Sequence, residues 1–378
     1  MMENRSPLEK FAYGYFLKLA KVRSEAADEI HILNKKEVKS IRFIFIKNVI
    51  SAAILGVIGV LLYYIPSYIF PKLFAPNEVF IPFIGIKLKI PIFSTIYSLI
   101  LAFLEIWLLT IINIRAVHHI AYTCGFPPLF DPNYNAHLEA LFEIALEKKS
   151  KKILALGINP FRGMSQVSLV LFVFLSQLKA ILSNLIIKLV LKRIFGRAVF
   201  RQLIDLVGIP VYAFWNGWAT YKIIREAKVR IMAPNLINEL CGILYKEFND
   251  HQQFKDLLFD SIEFIAISKR NFHHNLYLLA FNLLNMFGIP AREKREYNKN
   301  FIEKLSQLDD KARLASLKLL IFGIIIDGVF SRREKNAIEE LYNKKIIEWD
   351  VATVSRWTRS FAQGKGLGEL FAYEAKQQ

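Results

Sequence analysis

Four side chains that could ligate a metal lie close together in the sequence: His118, His119, Cys124 and His137. Their spacing matches no common structural zinc site. Adjacent residues on a helix also point about 100° apart, which disfavours joint ligation by the two neighbouring histidines. No Ser-His-Asp or Cys-His arrangement can be inferred from spacing elsewhere. We therefore predict no metal, no other cofactor and no catalytic residue, so that the chain is not an enzyme.

Glu105 is the one charged residue of a long apolar stretch, residues 90–114. An ionised carboxylate is costly inside a membrane, so such a residue marks either a polar contact between helices or a relay for protons or ions. The preceding apolar stretch offers only Asn48 and Ser51 as clearly polar partners, and neither lies at the same depth. We predict a protonated Glu105 that packs against another helix, with an oligomer contact and a relay as the alternatives.

The segment DGVFSRRE contains two carboxylates, Asp327 and Glu334. Ser331 followed by Glu334 three residues later is also a capping box, which begins a helix. Hard cations such as calcium require several oxygen ligands. An equivalent turn about 60 residues earlier, Ser268–Asn271, reads SKRN and supplies Lys and Arg instead of carboxylates. We therefore predict that Asp327 and Glu334 form the turn and cap the helix without binding a metal.

Basic residues recur among Leu, Ile and Val in residues 179–201. At 3.6 residues per turn they fall along one side of a helix, with Leu182, Leu185 and Leu189 on another. This pattern is typical of a helix lying on an anionic membrane surface, where each basic residue contributes roughly 1 kcal/mol. The alternative is a core helix whose polar face meets solvent. The predicted membrane-surface residues are Lys188, Lys192, Arg193, Arg197 and Arg201.

Composition favours a membrane protein. Of the 378 residues, 54% are hydrophobic, which excludes a disordered chain and is too apolar for an ordinary soluble enzyme. The net charge is +17, and residues 1–230 hold 29 Lys and Arg against 14 Asp and Glu, a net +15. Because the basic part is also the apolar part, lipid phosphate is a better partner than nucleic acid. Two cysteines provide no disulfide framework and indicate a reducing compartment.

Two stretches, residues 48–71 and 90–114, are long enough to cross a membrane, which takes about 20 apolar residues. Lys and Arg stay on the cytoplasmic side. Residues 1–47 hold ten of them, the loop 72–89 three and residues 115–162 six. We therefore predict a membrane hairpin with both chain ends in the cytoplasm. Its proline-rich outer loop is either a small β-hairpin around Gly85 or an irregular apolar loop.

Two further uncharged stretches, residues 163–178 and 206–221, are each 16 residues long and short for a span. If both crossed, one of the basic segments that follow them would lie outside, against the distribution of Lys and Arg expected in membrane proteins. We predict that they pack together or dip into the inner leaflet. The alternative is a four-span protein.

Residues 116–233 carry a recognisable order of features: a helix ending in Gly, an Asp-Pro turn, an apolar block with Pro and Asn, and a basic stretch. This order resembles the EcsC family of bacterial membrane-associated proteins over about a third of the chain. The resemblance implies membrane association, sometimes alongside transporters, and no established catalytic residue. Aromatic residues partly replace the Gly-rich helices of that family. The matching positions are Gly125, Asp131, Pro210, Asn216, Ala227 and Arg230.

Residues 250–345 repeat a helix, a tight turn and a helix, which indicates helical hairpins that bury each other's faces. The second hairpin, with Asp-Gly and then Ser-x-x-Glu opening the next helix, resembles the TerB-like fold. Proteins of that fold often carry acidic residues in both turns, which bind a divalent cation in some of them. The first turn of this chain departs from that pattern, because Lys269 and Arg270 stand where those proteins have acidic residues.

Together these features predict an all-α protein of the bacterial inner membrane. We expect a non-enzymatic scaffold or interaction protein linked to envelope stress or a transporter; the alternative is a small transport or permeation component with four spans. Its expected partners are anionic lipids and a protein or second copy of the chain, without nucleic acid. The predicted domains are a cytoplasmic amphipathic helix (1–42), the membrane hairpin (43–115), the EcsC-like region (116–233) and a TerB-like bundle (234–378).

Overall fold

The computed structural model describes residues 7–17, 32–81, 86–90, 92–127, 134–146, 151–170, 200–291 and 300–372. In chain order the helices are α1 (Pro7–Leu17), α2 (Lys35–Ile69), α3 (Pro71–Phe74), α4 (Ile92–Thr123), α5 (Tyr134–Ala145), α6 (Phe200–Phe248), α7 (Gln252–Lys269), α8 (His274–Met286), α9 (Phe301–Leu305), α10 (Asp310–Ile325), α11 (Arg332–Asn343), α12 (Val351–Gln363) and α13 (Gly368–Phe371). A 3-10 helix covers Lys152–Leu156, and the two strands are β1 (Asn77–Ile81) and β2 (Ile86–Ile90). The predicted all-α class is confirmed, with one small hairpin added to it.

The chain divides into two compact units. One, the apolar unit, contains the described residues of Arg42–Ala116 and Leu171–Ile224. The other, the bundle unit, contains those of Met1–Ile41, Val117–Val170 and Arg225–Gln378. The predicted region 116–233 is therefore divided between the two, because α6 contributes its first half to one unit and its second half to the other.

In the apolar unit, α2 and α4 are long and apolar enough to cross a membrane. None of the most apolar 18 residues of α4 is buried, whereas the core helix of a soluble protein would bury most of its own. The two helices meet near their loop ends, where the Tyr63 and Ser94 hydroxyls lie 2.5 Å apart and the Tyr97 hydroxyl donates to the Leu62 carbonyl at 2.8 Å. They therefore form an antiparallel hairpin with exposed apolar sides.

The loop of that hairpin contains β1 and β2, which pair in antiparallel register from Asn77 with Ile90 to Ile81 with Ile86. Of the two predictions for the loop, the β-hairpin is the one found. Helix α2 begins at Lys35. Residues 35–42, which were predicted to belong to the N-terminal amphipathic helix, are thus part of α2. Within the predicted range 1–42, the other described helix is α1.

The bundle unit has one hydrophobic core, built from the second half of α6 and from α7 to α13. Helices α7 and α10 approach so closely that a Cβ on Gly323 would lie 2.5 Å from Ile265. The two predicted helical hairpins are α7 with α8 and α10 with α11. Residues 319–326, which carry no charge and precede Asp327, are buried in this core. Helix α1 packs against α5 and buries Phe16 completely.

Candidate functional site

Glu105 lies on α4 and has a partner on α6. The amide Nδ2 of Asn216 donates a hydrogen bond to Glu105 Oε1 at 2.6 Å. The other carboxylate oxygen faces Gly59 of α2, where an added Cβ would lie 3.3 Å from Oε2. The partly buried carboxyl group of Glu105 therefore contacts α2 and α6 from α4, and a glycine provides the space for it.

A second polar contact joins the same two helices. Thr220 Oγ1 donates to Asn113 Oδ1 at 2.9 Å, and both side chains are buried. Interhelical hydrogen bonds of this kind contribute about 0.6 kcal/mol on average in membrane proteins. The two contacts hold the first half of α6 in a fixed register along α4.

Asn216 is the residue that sequence reasoning missed as a partner. The expected partners of Glu105 were sought on α2, which offers no polar side chain at that depth, whereas the observed one is 111 positions along the chain. The only signal was that Asn216 interrupts an otherwise apolar, aromatic-rich stretch. A lone amide at that place would be costly without a partner.

The predicted membrane-surface residues Lys188, Lys192, Arg193 and Arg197 lie outside the described residues. Arg201 belongs to the first turn of α6, and the structure describes its backbone only. The prediction of a helix on an anionic surface therefore stays a prediction.

The turn before α11 holds the two predicted carboxylates around one cation, the ammonium group of Lys269. Nζ lies 2.8 Å from Asp327 Oδ2, 2.8 Å from Glu334 Oε1 and 2.7 Å from the Ile324 carbonyl oxygen. Only 1% of the Lys269 side chain is exposed. Burial alone would lower the pKa of Lys269, but Asp327 and Glu334 outweigh it and raise that pKa. The side chain is thus a charged ammonium bound by three oxygens.

The same two carboxylates also organise the turn. Asp327 Oδ1 accepts the backbone N–H of Val329 at 2.9 Å. Ser331 and Glu334 form the capping box that begins α11: Glu334 Oε2 accepts the Ser331 N–H at 2.7 Å. Asp327 and Glu334 therefore both shape the backbone and neutralise Lys269.

We expect calcium to bind this turn no more tightly than at millimolar concentrations, because Lys269 Nζ occupies the space between the carboxylates and repels a divalent cation. Calorimetric titration of the full-length protein with CaCl₂ measures this. Binding at micromolar calcium would contradict it.

Among the described residues, no group of three or more His, Cys, Asp or Glu side chains could hold a metal ion. The His118 ring lies against the ring of Tyr15, with centroids 4.5 Å apart, and His137 lies against Phe126 at 5.0 Å. Cys124 is buried and is not part of a disulfide.

A partly buried polar network that the sequence did not predict joins α6 to the start of α8. Glu226 Oε1 accepts from Arg230 Nε at 2.7 Å and lies 2.9 Å from His273 Nε2. Because His273 Nδ1 accepts the backbone N–H of Asn275, a ring proton is carried by Nε2, which lies within ion-pair distance of Glu226. Burial would raise the pKa of Glu226, but His273 and Arg230 outweigh it and hold that pKa far below its ordinary value.

His274 lies beside this network, is 5% exposed, and neither ring nitrogen has a hydrogen-bond partner. Burial lowers the pKa of His274 well below its ordinary value, and Arg230 and His273 lower it further, with smaller contributions from His137 and Lys152. The folded protein therefore holds this imidazole neutral.

Because the pKa of His274 is lower in the folded chain than in the unfolded one, its contribution to stability is complete above about pH 6.5 and is lost as the pH falls below it. One such proton changes the free energy of unfolding by at most about 1.4 kcal/mol per pH unit. We expect His274→Gln to reduce the loss of stability between pH 6.5 and 5 accordingly. Urea unfolding of both proteins at a series of pH values measures this, and parallel curves would contradict it.

No family model, no curated protein and no solved structure matches this chain. The likeness to EcsC-type and TerB-like proteins therefore remains a prediction from the sequence. The interpretation of the sites depends on the contacts described above.

Proposed function

We propose that the chain is a non-enzymatic scaffold or interaction protein of the bacterial inner membrane, with both ends in the cytoplasm. Two long helices with exposed apolar sides support the membrane placement. The ten, three and six basic residues around them support the orientation. The resemblance to EcsC-type and TerB-like proteins supports a role in envelope stress or beside a transporter.

The observation that carries this proposal is the pairing of Glu105 with Asn216. In a transport component, an intramembrane carboxylate would face a water-filled path or the substrate. Here one carboxylate oxygen accepts a hydrogen bond from α6 and the other lies against Gly59 of α2. Glu105 therefore acts as a link between helices, which favours a scaffold over permeation.

The bundle unit supports the same proposal. Three of its buried charged side chains, Lys269, Asp327 and Glu334, bind one another across the turn between α10 and α11. Groups engaged in this way stabilise a fold and are not free to react with a substrate. We propose anionic lipids and a protein partner or a second copy of the chain as the binding partners, and no nucleic acid.

A flux assay with a matched variant tests the proposal. Full-length protein and Glu105→Gln are reconstituted into liposomes containing phosphatidylglycerol, and proton, sodium and potassium fluxes are recorded. We expect both proteins to give the flux of empty liposomes. Flux that the wild type supports and Glu105→Gln abolishes would contradict a scaffold and establish the transport alternative.

A further inference from the structure

The first half of α6 packs lengthwise along α2. A Cβ on Gly56 would lie 2.7 Å from both the carbonyl carbon and the oxygen of Tyr212, so the two backbones touch at this level. Gly217 lies against Val49 at about the distance of ordinary contact, 3.6 Å. As residue numbers rise on α2 they fall on α6, and the two helices are therefore antiparallel.

The contacts with α4 fix the level of α6 along the hairpin. Glu105 pairs with Asn216 and Asn113 with Thr220, so α4 and α6 run in the same direction. From Asn216 back to Phe200, the start of α6, is about 24 Å at 1.5 Å per residue. From Glu105 back to Ile92, the start of α4, is about 20 Å. Helix α6 therefore begins at the level of the β1–β2 hairpin.

The outer side of α6 is apolar and continues the exposed apolar surface of the hairpin. On α6, Phe214 lies two residues from Asn216 and is 60% exposed. On α4, Ile106 lies next to Glu105 and is 65% exposed. Tyr212 and Trp218 are also exposed. Within residues 209–221, the polar side chains of Asn216 and Thr220 face α4 instead. The polar and aromatic side chains of this part of α6 lower its mean hydropathy, but the surface that it exposes is apolar.

The uncharged part of α6, residues 206–221, lies between Asp205 and Lys222, and Arg201 precedes Asp205 by one helical turn. Arg201 and Lys222 are about 31 Å apart along a helix, close to the thickness of the hydrocarbon layer, so Asp205 lies near the same end of the segment as Arg201. Long basic side chains at the ends of such a segment reach the headgroups while their stems remain in the apolar layer.

We propose that residues 201–222 of α6 cross the membrane as a third span, with lipid acyl chains covering Tyr212, Phe214 and Trp218. The start of α6 then emerges on the side of the β1–β2 hairpin, so the chain between the end of α4 and the start of α6 must cross the membrane once more, which keeps both chain ends on one side. This rests on the membrane placement of α2 and α4 in the proposed function. It also departs from the expectation that residues 206–221 pack against the other short stretch or dip into the inner leaflet. That expectation came from the number of basic residues in each loop, which does not locate individual residues. The contacts of α6 with α2 and α4 do locate them along the hairpin.

Labelling of single cysteines with a membrane-impermeant maleimide tests the third span. Three variants of the protein are prepared in sealed vesicles, each with one added cysteine. The added cysteine is Ser40→Cys before the first span, Asn77→Cys in the hairpin or Gln202→Cys at the start of α6. The wild type, whose Cys124 and Cys241 are buried, measures the background. We expect Gln202→Cys to react from the same side as Asn77→Cys, and Ser40→Cys from the other side.

The outcomes separate the two proposals. Reaction of Gln202→Cys from the side of Ser40→Cys, or from neither side, would overturn the third span and leave the hairpin intact. Reaction of Ser40→Cys and Asn77→Cys from one side would overturn the membrane hairpin itself.

A spin label at Phe214→Cys provides a second measurement that does not depend on reactivity. We expect oxygen to reach the label more readily than a water-soluble nickel reagent, as at Ile106→Cys on the lipid-facing side of α4. Greater access for the nickel reagent at Phe214→Cys than at Ile106→Cys would overturn the proposal that lipid covers α6.

Discussion

Replacing Lys269 with Met should lower the free energy of unfolding by about 3–5 kcal/mol, the largest effect we expect from a single substitution. The reason is electrostatic. Met fills a similar volume but removes the ammonium group, and Asp327 and Glu334 are then left beside each other in a buried site without a counter-charge. Urea unfolding of the full-length protein in detergent, followed by circular dichroism, measures the change.

Lys344→Met is the matched control. Lys344 Nζ lies 2.6 Å from Glu340 Oε1, about the same distance as in the buried pairs, but both side chains are more than half exposed. An exposed pair of this kind contributes at most about 0.5 kcal/mol, so the control should behave almost as the wild type. Equal losses for Lys269→Met and Lys344→Met would show that burial of the first ammonium group is not what stabilises the turn.

Gly56→Ala should destabilise the apolar unit by about 1–3 kcal/mol, the usual effect of overpacking. The added methyl group would lie 2.7 Å from backbone atoms of Tyr212, which cannot move aside as the end of a flexible side chain could. Helices α2 and α6 must therefore separate. Thermal unfolding in detergent micelles measures the loss.

Gly242→Ala gives the opposite sign. Gly242 also lies inside α6, but among the described residues no atom beyond its own turn of the helix lies within 4 Å of the position of its Cβ. Removing a glycine from the interior of a helix then stabilises it by roughly 0.5–1 kcal/mol. If Gly56→Ala is as stable as the wild type while Gly242→Ala behaves as expected, α2 and α6 do not touch at Gly56.

Local features of the fold could be predicted from the sequence. The length and apolar character of residues 48–71 and 90–114 indicate α2 and α4, and the capping box at Ser331 marks the start of α11. Loose alternation of apolar residues around Gly85 made a β-hairpin one of two predictions for the loop, and the structure has that hairpin. In each case the residues that determine the element lie within it, so their spacing is enough.

The contacts of the candidate sites could not be predicted in the same way. Periodicity shows which side of a helix a residue occupies, but not which distant helix that side meets, and Glu105 meets Asn216 from 111 positions away. Lys269 illustrates a partial success. Its type argues against a calcium site from the sequence alone, but only the structure shows its ammonium group between Asp327 and Glu334.

The most direct test of the scaffold account is a double-mutant cycle on Glu105 and Asn216. Glu105→Ala, Asn216→Ala and the double variant are unfolded in detergent micelles beside the wild type. If the carboxylate serves to bind α6, the two substitutions should be coupled by about 0.6–1.7 kcal/mol, the range of interhelical hydrogen bonds in membranes. Strictly additive losses would show that Glu105 does not hold α6 and would contradict the account.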